Sequence, residues 1–226
     1  MSRLNVFQSS LTVIITLQMF NPDGVVPFVD TLVKKGFFVS RPTIIQQPQG
    51  QAQIQSASLA KKGTTSALDV DVPNRRVIFQ ITNELKAPNE NIEEVLSVLS
   101  LAGFPTEAFV QRIDVQGNVT IGLQADKASS FVPSAVKENF VKRAQDILNR
   151  PVKAIGVRLA SEVMDVADVS KSPFTILIEP MFTDASDTKF AVQVYYGSSN
   201  PSSTVAFMQR LYENLTALIS AFKEEK

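Results

Sequence analysis

The segment TVIITLQMFNPDGVVP at residues 12–27 recurs at a constant offset, without gaps, as NVTIGLQADKASSFVP at residues 118–133. Val13 meets Val119, Ile15 meets Ile121, Leu17-Gln18 meets Leu123-Gln124, and Val26-Pro27 meets Val132-Pro133. A chain that contains itself twice must give both copies the same order of elements, a stronger constraint than any residue propensity.

The rest of the pattern agrees with two copies. Each begins with an alternating apolar strand, Leu11 to Gln18 and Val119 to Gln124, because a period of two places apolar side chains on one sheet face. A polar loop and a Val-Pro pair follow, and Pro27 and Pro133 predict helix starts because proline is pre-set for the first helical turn. Phe28, Val29, Leu32 and Val33 form the stripe of the first helix, with Gly36 as its stop. Ser134 caps its counterpart, whose stripe is Val136, Phe140, Ala144, Ile147 and Leu148.

Strands are expected at Phe37–Gln46, Ala52–Ala60, Ala67–Val72 and Arg75–Thr82, then at Ala154–Ala160, Phe174–Phe182 and Lys189–Tyr196. Each copy closes on a longer helix. Asn91 and Glu94 form a capping-box pattern ahead of Ile92, Val95, Leu96 and Leu99, with Gly103 at the end. Asn200-Pro201 opens the other, with Val205, Met208, Leu211, Leu215 and Ile219 along one face. The predicted fold class is α+β: internally duplicated β-α-β(3-4)-α units, mainly antiparallel sheet covered by helices on one face. The copies are residues 1–105, including a glutamine-rich hairpin at 46–60, and residues 106–226.

Composition excludes much chemistry. Histidine and cysteine are both absent, which removes Ser-His-Asp and Cys-His catalysis, imidazole and thiolate metal ligation, and disulfides. The 22 basic and 22 acidic residues cancel, so no global field favours nucleic acid or anionic membrane. No apolar run approaches the roughly 18 residues that span a bilayer. The internal copy of LTVIITLQMF argues for a strand there and not a leader, so the cytoplasm is the expected compartment. No cofactor and no metal is expected, and the chain reads as a non-enzyme.

Candidate contact residues remain. In QQPQGQAQIQ at residues 46–55, Pro48-Gln49-Gly50 is turn chemistry, and Gln51, Gln53 and Gln55 alternate with Ala52, Ile54 and Ser56. That row of uncharged amides reads as a solvated hairpin face or as a recognition surface. Phe207 and Tyr212 lie at the margin of the last helix's stripe and are candidates for a dimer contact. Lys61, Lys62, Arg75 and Arg76 are the candidate basic patch, although charges at turns are ordinarily just solvated. Glu179 before Pro180 reads as an edge-strand position more readily than as a general base. Asp69 and Asp71 share one strand face, as a hard-cation site or a solvent face would require.

Duplicated halves of this order resemble, in architecture, the plan of the TATA-binding protein. None of that family's motifs is present, and the zero net charge argues against minor-groove binding. The leading expectation is a protein-interaction or assembly protein, with a protein partner or a second copy of the chain (a homodimer) as ligand. A small apolar ligand in a cleft near Phe140, Phe174 and Phe190 is the alternative. Nucleic acid binding through a local basic patch follows, and an enzyme comes last.

Overall fold

The computed structural model describes residues 5–46, 52–61, 67–82, 88–122, 127–130, 142, 145–147, 156–161, 173–181 and 183–224. Strand β1 (Asn5–Leu17) leads into helix α1 (Pro22–Lys34), and strands β2 (Phe37–Gln46), β3 (Ala52–Lys61), β4 (Ala67–Asp71) and β5 (Arg76–Thr82) follow. Helix α2 (Pro88–Leu101) and the one-turn α3 (Thr106–Phe109) connect to β6 (Val110–Gly122) and a 3-10 turn (Ala128–Ser130). Strands β7 (Val157–Ala160), β8 (Phe174–Pro180) and β9 (Lys189–Ser198) precede the last helix (Pro201–Glu224). The strands form one sheet of nine in the order β2-β3-β4-β5-β1-β6-β9-β8-β7, and every pairing is antiparallel.

Alternation decides which side chains are buried. Leu11, Val13, Ile15 and Leu17 of β1 are buried, whereas Ser10, Thr12, Ile14 and Thr16 are exposed or half-buried. In β9, Val192 and Val194 are buried and Gln193 is exposed. The buried strand residues join one core with Val25, Phe28 and Leu32 of α1, Val95 and Leu99 of α2, and Met208, Leu211 and Leu215 of the last helix. Burying apolar area at about 25 cal/mol per Å² is the main driving force for these contacts. At one end Phe20 meets Phe104 edge-to-face at 5.1 Å, and Phe104 meets Phe109 at 5.9 Å. No helix among the described residues is long and apolar enough to cross a membrane.

Several boundaries differ from the sequence reading, each for a physical reason. Both central strands are longer than expected because each is paired on both sides, which holds polar residues such as Ser9, Ser10 and Asn118 in the ladder. Helix α1 begins at Pro22, with Asp23 in its first turn, so Pro27 lies inside the helix and not at its start. Helix α2 begins at Pro88, ahead of the Asn91 capping pattern, and Glu94 instead meets Lys61 at 2.5 Å. The stops hold: Gly36 (φ +92) and Gly103 (φ +91) adopt the left-handed backbone that ends α1 and α2. Asn200 caps the last helix, its side-chain oxygen accepting from Ser202 N at 2.9 Å and Ser203 N at 3.3 Å. The expected helix from Ser134 to Leu148 lies mostly outside the described residues.

Candidate functional site

Three surfaces collect the polar and apolar groups that the core does not use. The first is a concavity of about 540 Å³ on the sheet, on the side away from the buried residues. Two cross-strand rows line it, and the registers fix their order. One runs Thr12, Gln116, Tyr195, Thr175 across β1, β6, β9 and β8. The adjacent one runs Ser10, Asn118, Gln193, Leu177, Arg158 and reaches β7.

Tyr195 is fixed at the margin of this concavity. Its hydroxyl donates to Asp114 Oδ1 at 2.8 Å, and Arg112 Nε donates to the same oxygen at 2.8 Å. Arg112 Nη2 also donates to the Tyr195 hydroxyl. Gly197 makes room for the cluster, since a Cβ there would lie 2.9 Å from both the Tyr195 hydroxyl and Asp114 Oδ1. Burial pushes the Tyr195 hydroxyl above its ordinary range, and the Asp114 carboxylate adds to that shift. Burial pulls Arg112 down, but its hydrogen bond and charge contact with Asp114 outweigh this and hold it above its ordinary value. The Tyr195 hydroxyl therefore stays protonated and Arg112 stays charged at neutral pH, which suits the cluster to positioning the ring more than to proton transfer.

The second surface is the β2 edge of the sheet. Phe38 (51% exposed), Val39 (37%) and Ile44 (55%) lie on this outermost strand. Its pairing with β3 shifts register twice, between Val39 and Arg41 and between Thr43 and Ile44. The second shift corrects the strict alternation expected for the glutamines. Thr43 pairs with Ser56 and Ile44 with Ile54, so Gln55 is the extra residue, and Ile54 packs against the core. Gln53 and Gln55 are half-buried, and Gln51 lies outside the described residues.

The third is an apolar groove of about 910 Å³ between β7, β8 and the last helix, lined by Leu159, Phe174, Ile176, Phe207 and Leu218 among others. Of the residues expected around a cleft, Phe174 lines this groove, Phe190 is wholly buried in the core, and Phe140 lies outside the described residues. Phe207 stacks on Tyr196 with ring centroids 4.2 Å apart. Tyr212 is half-buried against the core.

The basic residues are not brought together. Lys61 ends β3, paired with Glu94 and 5.5 Å from the Phe37 ring centroid. Arg75 and Arg76 sit at the opposite end of the β4–β5 hairpin, beside Asp71. Arg75 has φ +55, accepts Leu17 N at its carbonyl and donates to Gln18 O at 2.8 Å, so it shapes the turn. Lys62 lies outside the described residues. Asp71 accepts from Asn74 Nδ2 at 2.7 Å, and among the described residues no group of three acidic side chains converges on a metal position. Glu179 is half-buried on β8, an interior strand. Among the described residues β7 pairs with β8 as far as Ile178, so Pro180, which has no N–H to donate, lies beyond that pairing.

The amide rows had a sequence signal that motif reading passed over. On the polar parity of β1, β6 and β9 a central uncharged stretch (Ser10 and Thr12, Gln116 and Asn118, Gln193 and Tyr195) is flanked by charge only further along the strands, at Arg112 and Asp114 on β6 and Lys189 on β9. No family model matches this sequence, and no curated protein matches it.

Proposed function

We propose that the chain is a non-enzymatic, cytoplasmic interaction protein that joins a second copy of itself through the β2 edge of its sheet. The observation that carries this reading is the exposure of Phe38, Val39 and Ile44 on an outermost strand. Edge strands present unpaired backbone groups, and proteins ordinarily guard them with charge, proline or bulges. Arg41, Pro42 and the two register shifts interrupt the middle of β2. The flanking stretches remain apolar, which favours one specific partner over open-ended pairing.

The same reading takes residues 1–105 and 106–226 as two copies of one unit, with the helices on one sheet face. Outward from the centre the first half runs β1, β5, β4, β3, β2 and the second β6, β9, β8, β7. The offset that matches Val13 to Val119 makes Leu11 and Gly117 equivalent, and these two pair with each other. Val13 with Val115 and Ser9 with Val119 are then one contact seen from either copy. The outermost strand of the first half, β2, which has no counterpart among the described residues of the second half, is the proposed contact.

Native mass spectrometry at two protein concentrations tests this. A dimer that weakens in the double variant Phe38→Glu, Ile44→Glu, with unchanged thermal stability, supports the edge. A monomer at all concentrations, or a dimer indifferent to both changes, refutes it. A small apolar ligand is the second reading, favoured by the groove at Phe174 and Phe207. Copurifying small-molecule mass, lost in Phe174→Ser, would promote it above the first.

A further inference from the structure

We propose that the concavity on the sheet is a binding trough for an extended, uncharged carbohydrate chain. This is independent of the β2 edge, which lies at the far margin of the same sheet.

The argument starts from charge. The row from Thr12 to Thr175 has no ionisable carboxylate or ammonium group, and the row from Ser10 has only Arg158, at its outer end on β7. The nearest other guanidinium, Arg112, is already held by Asp114. A nucleic acid would set a phosphate in each repeat against almost no cation, so its main source of affinity is missing. An anionic glycan fails for the same reason.

Hydrogen-bonding capacity comes next. Gln116, Asn118 and Gln193 each carry two donors and an acceptor with two lone pairs, and Ser10, Thr12 and Thr175 each donate and accept. A sugar hydroxyl also donates and accepts, so every such pairing is satisfiable in either direction. Among the described residues, the three amides enter no hydrogen bond with the protein, so their capacity is unspent.

Spacing selects between a glycan and a peptide. Along each row the side chains are one interstrand distance apart, about 4.8 Å, so from β1 to β7 the trough is about 19 Å long. That step is close to the length of one ring in an extended sugar chain. An extended peptide advances about 3.4 Å per residue, so its polar groups fall out of step with the rows.

Tyr195 supplies the apolar half of sugar recognition. Its hydroxyl is bound to Asp114 close to Gly197, two residues further along β9, so the side chain lies along the sheet and does not stand away from it. A pinned ring offers its electron-rich face to the C–H face of a sugar, and little side-chain entropy is lost when it does so.

The test is affinity electrophoresis and calorimetry on the full chain, using neutral glucans and N-acetylglucosamine oligomers, from dimer to tetramer. Saturable binding that tightens with chain length is expected. Tyr195→Ala and Gln193→Ala should each weaken it about tenfold. Gln193 is exposed, so its variant keeps the test decisive if loss of Tyr195 unfolds the sheet. No saturable binding to any neutral chain overturns the proposal. So does binding that both variants leave unchanged, or binding confined to polyanions and abolished by salt.

Discussion

Asp184 shows how a single side chain organises a hairpin turn. The Ser186 hydroxyl donates to its carboxylate at 2.7 Å and the Thr188 amide at 2.9 Å, and these bonds, the hydroxyl first, hold its pKa down to about 2. Because the folded pKa is below the unfolded value of 3.8, the carboxylate stabilises the fold above that value. The stability is lost as pH falls through about 2. Urea melts of wild type and Asp184→Asn should differ at neutral pH and converge between about pH 4 and pH 2. A pH-independent difference would mean that the carboxylate's charge plays no part in the turn. Space is the other constraint at this scale. A Cβ on Gly117 would fall far inside contact distance of the Ser10 carbonyl oxygen and 2.8 Å from Leu11 Cα, both backbone atoms. Gly117→Ala should therefore cost about 3 kcal/mol or more, as overpacking against immovable atoms does. Gly156→Ala, which first meets the movable Glu179 side chain at 2.8 Å, should cost less than about 1 kcal/mol. Equal losses in the two denaturation curves would contradict this reading of the central pair. The glycine at 117 is plain in the sequence, but its crowding depends on a partner strand about a hundred residues away.

At the scale of elements, the sequence announced what depends on local chemistry and concealed what depends on neighbours. Alternation placed β3, β4, β5 and β9 within two residues, and Asn200 announced the cap it forms. The bulge at Gln55 was hidden because it exists only against β2. The amide rows were hidden for the same reason, since register decides that Gln116 stands between Thr12 and Tyr195. Pro27 misled because a proline ahead of an apolar stripe normally marks a helix start. It lies instead in the body of α1, exposed, where its nitrogen cannot donate to the carbonyl of Asp23. Proline in a helix interior costs about 3 kcal/mol relative to alanine, and its stiffening of the unfolded chain returns up to about 1. Pro27→Ala should then stabilise the protein by about 1–2 kcal/mol, raising Tm by a few degrees on a calorimetric scan. A lower Tm would show that α1 needs the proline's bend to seat Phe28 and Leu32 in the core.

For the whole molecule, the central pairing of β1 with β6 decides whether the halves are independent. Each half uses the other's first strand to cover the edge of its own sheet, so neither has a finished sheet alone. If the two copies are equivalent, a fragment of residues 1–105 has an obvious replacement for β6, namely β1 of a second fragment. The two-fold that carries Leu11 onto Gly117 would then place Leu11 opposite Leu11 and Val13 opposite Ser9 of the other fragment. The fragment should therefore run as a dimer in light scattering, whereas a self-contained half would run as a monomer. The chain has no cysteine, so one introduced as Leu11→Cys reports the register directly. Directly opposed residues in an antiparallel pair lie about 4.5–5.5 Å apart between Cα atoms, within disulfide reach. Oxidation should crosslink Leu11→Cys to itself and leave Ile15→Cys, eight residues out of register with its own copy, largely unlinked. The reverse pattern, or a fragment that stays monomeric and folded, would separate the sheet's continuity from its symmetry and leave the repeat as a likeness of sequence alone.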